Sequence, residues 1–257
     1  MSQAPRRAAL LAVGLALVLV APASVSATHS WGGYHWARTS NFFTLQLGDK
    51  LSDPWHSFLV TTSSDWSVSD VLDTQIVPGT AVKKLCSATT GTVQVCNSRY
   101  GSTGWLGVAQ IWVSGSHITK GTVKLNDTYF LTSTYNSTAW RNLVMCQEVG
   151  HTLGLNHQDE TFSNPNLGTC MDYTNDPSTN QHPNQHDYDQ LVSIYSHLDS
   201  TTTLASATTT KGGSSGAAAP AGWGRLVAVT NGGHGATYLL DLGSGNLVLT
   251  HVLWAGR

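Results

Sequence analysis

The chain has 257 residues, of which 11% are charged, and its formal net charge is -2. This length is sufficient for one or two domains, each with a proper hydrophobic core. The low charge density excludes a basic surface that could steer the protein toward nucleic acid or an anionic membrane. We therefore expect neither of these as a partner.

The first 27 residues have the pattern of a secretory signal peptide. The positive pair Arg6-Arg7 precedes an apolar run over residues 8–21, which is too short to span a bilayer comfortably. The small residues 25–27 then match a cleavage site. We predict a secreted, extracellular protein whose mature chain begins near Thr28.

Residues 28–199 have the mixed composition of a folded domain, and turn signals give the order of its elements. The alternating stretch "FFTLQLGD" predicts a strand, and Asp53-Pro54 predicts an N-cap and first turn for a helix through about Ser64. Strands are predicted around "VLDTQIV", "VQVCN", "GVAQIWVSG" and "GTVKLNDTYF", followed by two helices, the second at "HDYDQLVSIYSHL". This order predicts an α+β fold with a mixed sheet.

The first of these two helices contains "CQEVGHTLGLNHQDE", which matches the zinc signature H-E-x-x-H-x-x-G-x-x-H except that Gln147 replaces the first histidine. Gln147 and His151 are four residues apart and share one helix face, while Glu148 lies about 100 degrees away. Gly154 ends the helix and turns the chain so that His157 returns as a third ligand. We therefore expect a zinc site with an open coordination position.

Two further segments follow the main domain. Residues 200–222 are rich in Thr, Ala, Gly and Ser and predict a linker. Residues 223–257 contain three short β-rich runs separated by Asn-Gly-Gly and Gly-Ser-Gly turns. We expect a small β-rich C-terminal appendage, docked on the main domain or on another molecule.

Four cysteines in an exported protein are expected to form disulfides, because oxidising compartments preserve them. Three pairings are possible, and proximity in the sequence favours Cys86 with Cys96 and Cys146 with Cys170. The second bridge would tie the start of the zinc motif to the residue before Met171.

The chain resembles the metzincin clan of zinc endopeptidases in the stretch "QEVGHTLGLNH", in the methionine of "CMDY" and in the closing helix. Its motif sequence is closest to that of matrixin-like members. The resemblance covers nearly all of residues 28–199. It implies a metzincin-like catalytic domain with a mixed twisted sheet, an active-site helix and a C-terminal helix. It also implies that substrate binds along an edge strand, which we place in "GTVKLNDTYF".

Carried over residue by residue, the resemblance makes Glu148 the general base, His151 and His157 zinc ligands, and Met171 the methionine of the turn below the metal. Tyr173 lies two residues after Met171, as does a transition-state tyrosine of astacin-like and serralysin-like metzincins. Matrixin-like members do not rely on such a tyrosine. Both a catalytic and a packing role for Tyr173 therefore remain open.

Two functions are consistent with these residues. The first is a secreted, monomeric zinc endopeptidase that acts on protein or peptide substrates, with Glu148 activating a metal-bound water. The second is a non-catalytic secreted binding protein on the same fold, because the amide oxygen of Gln147 is a weaker zinc donor than an imidazole nitrogen. Retention of Glu148 favours the enzyme, since a carboxylate has little packing value in such a place.

Overall fold

The computed structural model describes residues 29–206, 222–230 and 232–256. The predicted signal peptide at residues 1–27 and most of the predicted linker lie outside the described residues. None of the helices within the described ranges combines the length and the apolar character that crossing a membrane requires.

The fold is a mixed α/β arrangement of one sheet and a few helices. Within the described residues the strands are β1 (His35–Trp36), β2 (Phe43–Lys50), β3 (Leu72–Pro78), β4 (Thr92–Ser98), β5 (Trp105–Ser114), β6 (His117–Asn126), β7 (Arg225–Val229), β8 (Gly235–Gly243) and β9 (Asn246–Trp254). Their order across the sheet is β3-β2-β4-β6-β5-β9-β8-β7, and β1 pairs separately with β6.

The sheet has a parallel half and an antiparallel half. Strands β3, β2, β4 and β6 run parallel to one another, whereas β5 is antiparallel to β6, and β9, β8 and β7 continue the antiparallel half. The prediction that "GTVKLNDTYF" forms a free edge strand was wrong. Most of that stretch is β6, which lies between β4 and β5 with ladders on both sides.

The described helices are α1 (Trp55–Trp66), α2 (Asp127–Phe130), α3 (Thr138–Thr152) and α4 (Gln185–Ile194). The helix after Asp53-Pro54 is present, but Asp53 does not cap it: Pro54 holds the N-cap position and the helix has no side-chain cap. The short helix α2 replaces the predicted end of a strand, because the side chain of Asn126 accepts a hydrogen bond from the Thr128 amide and starts a helical turn.

The hydrophobic core lies between the sheet and helices α1 and α3, which contact each other and the sheet. Trp66 of α1 donates its indole N–H to the Cys146 carbonyl of α3 at 3.2 Å. Leu45 and Leu47 of β2 and Val123 of β6 are fully buried in the same core. This packing holds α3, which carries the zinc-like motif, against β5 and β6.

The C-terminal strands are part of the same sheet. β9 pairs antiparallel with β5 from Trp105↔Trp254 to Ser114↔Asn246, with one shift of register between Trp105 and Gly107. The described start of the predicted linker is also attached to the domain, since the Thr203 amide donates to the Ala37 carbonyl and the Ala205 amide to the Gly91 carbonyl.

Two disulfides are present, Cys86–Cys96 and Cys146–Cys170. They are the two pairings that proximity favoured. The second joins the middle of α3 to the loop that contains Met171 and Tyr173.

Candidate metal centre

Helix α3 positions the motif residues within the core. Its N-terminus is capped by Ser137, whose side chain accepts a hydrogen bond from the Trp140 amide, and its last residue is Thr152. Gly154 follows with φ +96, and a Cβ there would collide with the Tyr34 carbonyl oxygen. Only glycine combines this left-handed backbone with such a close approach, so the chain turns sharply after the helix.

The turn brings His157 beside His151, with ring centroids 4.6 Å apart. Met171 lies against α3, where a Cβ at Gly150 would lie 2.6 Å from its sulfur. Tyr173 packs its ring against His157 with centroids 4.1 Å apart. Helix α3 and the loop that contains Met171 and Tyr173, here called the methionine loop, therefore enclose His151 and His157 from two sides.

A third histidine, His251, reaches the same place from β9. Its ring centroid is 4.0 Å from that of His151 and 4.8 Å from that of His157. One ligand atom from each of the three histidines can be chosen so that all lie within 4.8 Å of one another. His251 lies outside the sequence motif and was not among the predicted ligands.

His251 also contacts the two predicted catalytic residues. Its Nδ1 lies 3.1 Å from Oε2 of Glu148, and its Nε2 lies 2.8 Å from the Tyr173 hydroxyl. The C-terminal sheet approaches Tyr173 at a second point as well, because a Cβ at Gly235 would collide with the same hydroxyl. Tyr173 therefore lies at the junction of the methionine loop and the C-terminal sheet.

A sequence signal for His251 exists in β9 itself. Alternate residues of a strand face the same side, and Leu249, His251 and Leu253 form one such series. Both leucines belong to the main core beneath the sheet. A histidine between two core leucines is a polar group aimed at the interior, and such a group needs a partner there.

Gln147 occupies the helix position of the missing histidine but makes a different contact. Its side-chain nitrogen donates to the Cys170 carbonyl at 2.9 Å. Its side-chain oxygen is buried and has no hydrogen-bond partner among the described residues. The amide thus links α3 to the methionine loop and leaves one acceptor free.

Burial controls the protonation of the site. The four central side chains are almost inaccessible, with exposures of 0% for Glu148, 1% for His151, 6% for His157 and 1% for His251. Desolvation lowers the pKa of His151 and of His251 to about 3. Desolvation, joined by the nearby His151, also lowers the pKa of His157 well below its usual value. All three imidazoles are therefore neutral at neutral pH, as metal ligands must be.

Glu148 shifts in the opposite direction. Burial raises the pKa of Glu148 to about 8, and the nearby His151 and the backbone hydrogen bond from Ala109 oppose this shift only in part. The close approach of β5 encloses the carboxyl group, since a Cβ at Gly107 would lie 2.6 Å from Oε1. A carboxyl group with a pKa in this range can both accept and release a proton near neutral pH.

The donor set fits a divalent metal ion. Nδ1 of His151 lies 2.9 Å from the Leu155 carbonyl, which can only accept, so Nδ1 carries the hydrogen and Nε2 keeps its lone pair. Nε2 of both His151 and His157 is buried without a partner among the described residues, as are Oε1 of Gln147 and Oε1 of Glu148. Buried hydrogen-bond acceptors that have no partner cost folding free energy unless a cation binds them.

A cavity of about 230 Å³ opens beside this cluster. Gln147 and Tyr173 line it together with the apolar side chains of Leu106, Trp140 and Leu143. Because cavities of roughly 150 Å³ accept benzene, this one has room for a ring-sized side chain.

Comparisons with known proteins add little to this geometry. No family model and no curated protein matches the chain. Among solved structures, the chain is similar to high choriolytic enzyme 1, a hatching enzyme zinc-protease from Oryzias latipes (medaka fish). The TM-score is 0.35 and the identity 11%, over 63% of this chain and 94% of that chain. A likeness at this TM-score and identity does not indicate an activity.

Proposed function

We propose that the protein is a secreted zinc-dependent endopeptidase with a metzincin-like catalytic domain, whose metal is held by His151, His157 and His251. The observation that carries this proposal is the convergence of the three neutral, buried histidines beside Glu148. Three nitrogen ligands with an open position form the usual donor set of a catalytic zinc. Gln147 offers its free side-chain oxygen to the same place and is the candidate for a fourth or water-linked ligand.

When bound, zinc would polarise the scissile carbonyl and lower the pKa of a bound water. Glu148 acts as general base: Oε2 is held by His251, while the unpartnered Oε1 is free to take a proton and later release it to the leaving amine. A metal at Nε2 of His251 would displace the Tyr173 hydroxyl from that nitrogen, and the hydroxyl would then be the nearby donor for the developing oxyanion. Burial raises its pKa far above neutrality, so it keeps its proton.

Substrate recognition is proposed to use the cavity beside Gln147 rather than the edge of β5. The apolar lining of the cavity selects a bulky apolar or aromatic side chain. β9 occupies the outer edge of β5, so a peptide cannot add as a strand there unless the C-terminal sheet moves. Proteins or peptides with an accessible large side chain are the expected substrates, and the enzyme is expected to act as a monomer.

An extracellular location agrees with the two disulfides, because such bridges persist in oxidising compartments. The signal-peptide pattern of the first 27 residues points the same way.

The proposal is tested with the purified mature chain, loaded with zinc and incubated with casein or gelatin, with and without a chelator. We expect chelator-sensitive cleavage. Glu148→Gln should lower the rate by roughly 10²- to 10⁴-fold while the zinc content stays unchanged, because this substitution removes the proton acceptor and not a metal ligand. Asp189→Asn, a carboxylate on the exposed side of α4, is the matched control and should cleave normally.

One observation favours a second candidate function, a non-catalytic binding protein on the same fold. The C-terminal sheet covers the site, and none of the four central side chains is more than 6% exposed. A metal in such a place would act as a structural link between α3 and β9. Zinc binding without cleavage of any protein substrate, in both the parent and Glu148→Gln, is the result that selects this alternative.

A further inference from the structure

A second group of side chains that could hold a metal ion lies at the start of β6. His35 of β1 and His117 of β6 are register partners in a parallel ladder. His197 and Asp199 follow helix α4 and reach the same point. The cluster therefore joins three segments that are distant in sequence.

Ligand atoms of His35, His117 and Asp199 all lie within 4.8 Å of one another, and Nε2 of His197 lies near those of His35 and Asp199. Oδ1 of Asp199 lies 3.0 Å from Nε2 of His117, 3.5 Å from Nε2 of His35 and 3.8 Å from Nε2 of His197. Nε2 of His35 and Nε2 of His197 are 3.1 Å apart. Zinc–nitrogen and zinc–oxygen bonds of about 2.0–2.1 Å in a tetrahedron place ligand atoms roughly 3.3 Å from each other. The four separations given above range from 3.0 to 3.8 Å, on both sides of that value.

The orientation of His35 is fixed for a ligand. Its Nδ1 lies 3.0 Å from the Gly33 carbonyl. Because a carbonyl only accepts hydrogen bonds, Nδ1 carries the hydrogen and Nε2 presents a lone pair to the cluster. Metal-bound histidines characteristically have their second nitrogen held in this way.

The carboxylate of Asp199 is also held in place. Its Oδ2 accepts hydrogen bonds from the Arg38 amide at 3.1 Å and from the Arg38 guanidinium at 3.0 Å. Arg38 is itself buried and donates to the Tyr195 carbonyl at 2.8 Å. Oδ2 is thus engaged by Arg38, and Oδ1 is directed at the three histidines as a single-atom ligand.

We propose that His35, His117, His197 and Asp199 form a second, structural zinc site. All four positions of a tetrahedron are filled by protein side chains, which is the arrangement of structural and not of catalytic zinc. The ion would join β1, the start of β6 and the segment after α4. The site is independent of the proposed function, because none of its residues contacts the centre around Glu148.

Access to this site differs from access to the central one. The side chains of His35 and Asp199 are 6% and 9% exposed, whereas those of His117 and His197 are 34% and 51% exposed. An ion can therefore enter from solvent between His117 and His197. The exposure of His197 also means that replacing it removes a ligand without opening the core.

Without a metal, the same atoms would have to form ordinary hydrogen bonds, with His197 donating to His35 and His117 donating to Asp199. That network would bind no zinc. A comparable Asp–His pair on the surface is His182 with Asp65, whose atoms are 2.7 Å apart. His182 is therefore the matched control for replacing a histidine of the cluster.

The experiment uses the full mature chain, stripped with a chelator, dialysed and titrated with Zn²⁺, and with Co²⁺ to detect tetrahedral coordination from its visible absorption. We expect two equivalents of zinc for the parent and for His182→Ala. His197→Ala should bind one equivalent and lose most of the zinc-induced rise in melting temperature. Asp199→Asn, which keeps an acceptor for Arg38, should weaken the same equivalent by at least roughly tenfold.

Comparing His197→Ala with His251→Ala distinguishes zinc binding at the second site from zinc binding at the central site. If His197→Ala and the parent bind the same number of zinc ions with the same affinity, the second site does not exist. This conclusion does not depend on whether the central site binds zinc. If His197→Ala loses one equivalent while His251→Ala loses none, the second site stands and the proposed central centre fails. Circular dichroism of each apoprotein checks that the variants are folded.

Discussion

His251 and Glu148 meet between β9 and α3, with Nδ1 of His251 3.1 Å from Oε2 of Glu148 and both side chains buried. They are 103 residues apart in the chain. The contact depends on the ladder between β5 and β9, in which His251 is the register partner of Ala109. The C-terminal strand is thereby part of the candidate metal centre and not a separate appendage to it.

Replacing His251 should weaken metal binding at the central site. His251→Ala removes one of three nitrogen ligands, and we expect the zinc affinity of that site to fall by more than roughly 100-fold, since even outer contacts of a ligand change affinity by 10- to 100-fold. Zinc titration of the stripped protein measures the change. His56→Ala, a replacement of an exposed histidine that pairs with Asp49, should bind zinc as the parent does.

A histidine at position 147 should compensate for the loss of His251. Residue 147 lies one helical turn before His151, on the same face of α3. We expect Gln147→His combined with His251→Ala to recover at least roughly tenfold of the lost zinc affinity, because it restores the first histidine of the motif. If the double variant binds zinc no better than His251→Ala alone, residue 147 does not face the metal.

Much of the motif region could be read from the sequence because its geometry is local. Helical spacing and the left-handed preference of glycine depend on a few neighbouring residues, and Gly154 is found with positive φ directly after α3. The disulfide between Cys146 and Cys170 is present as proximity suggested. Local rules were sufficient in each of these cases.

The remaining features depend on long-range pairing. The strand that borders β5 comes from residues 246–254, and spacing within the sequence cannot show that β9 inserts there. The free edge that the family resemblance implied was placed on β6, which instead lies between β4 and β5. His251 was missed for this reason, since it becomes a candidate ligand only when β9 is placed over α3.

The disulfide beside the motif should support the metal site. Cys146 and Cys170 are 24 residues apart, and loss of such a bridge costs about 3 kcal/mol of unfolding free energy. Cys146→Ala with Cys170→Ala should in addition weaken zinc binding, because Gln147 donates to the Cys170 carbonyl. Urea unfolding and zinc titration measure the two effects.

The control for that prediction is Cys86→Ala with Cys96→Ala. This pair closes a shorter loop and lies in a separate small cluster with Ala81. It should lower stability while the zinc affinity of the central site stays unchanged. Equal losses of zinc affinity in both double variants would show that the effect is a general loss of stability.

Asp187 should make the stability of the protein depend on pH. Burial raises the pKa of Asp187 to about 6, against the hydrogen bonds from Thr169 and the Asn184 amide. At Asp187 the folded state therefore holds a proton between about pH 4 and pH 6, where the unfolded group has already ionised. The contribution of Asp187 to the free energy of unfolding should fall as pH rises through this window, by on the order of 3 kcal/mol.

Asp187→Asn should remove that decline, because asparagine keeps the acceptor oxygen and does not ionise. Urea unfolding at several pH values between 4 and 7 measures the slope. Asp189→Asn, two residues further along α4 and exposed, should keep the slope of the parent. If the difference in unfolding free energy between the parent and Asp187→Asn is constant or rises across the window, the assignment to Asp187 is wrong.

The most direct test of the central claim is an anomalous difference map, recorded at the zinc absorption edge from crystals of the zinc-loaded mature protein. We predict a peak bounded by His151, His157 and His251, adjacent to the carboxyl group of Glu148. A map with no peak among these histidines, or with a peak bounded by Gln147, His151 and His157 while His251 lies elsewhere, would contradict the account.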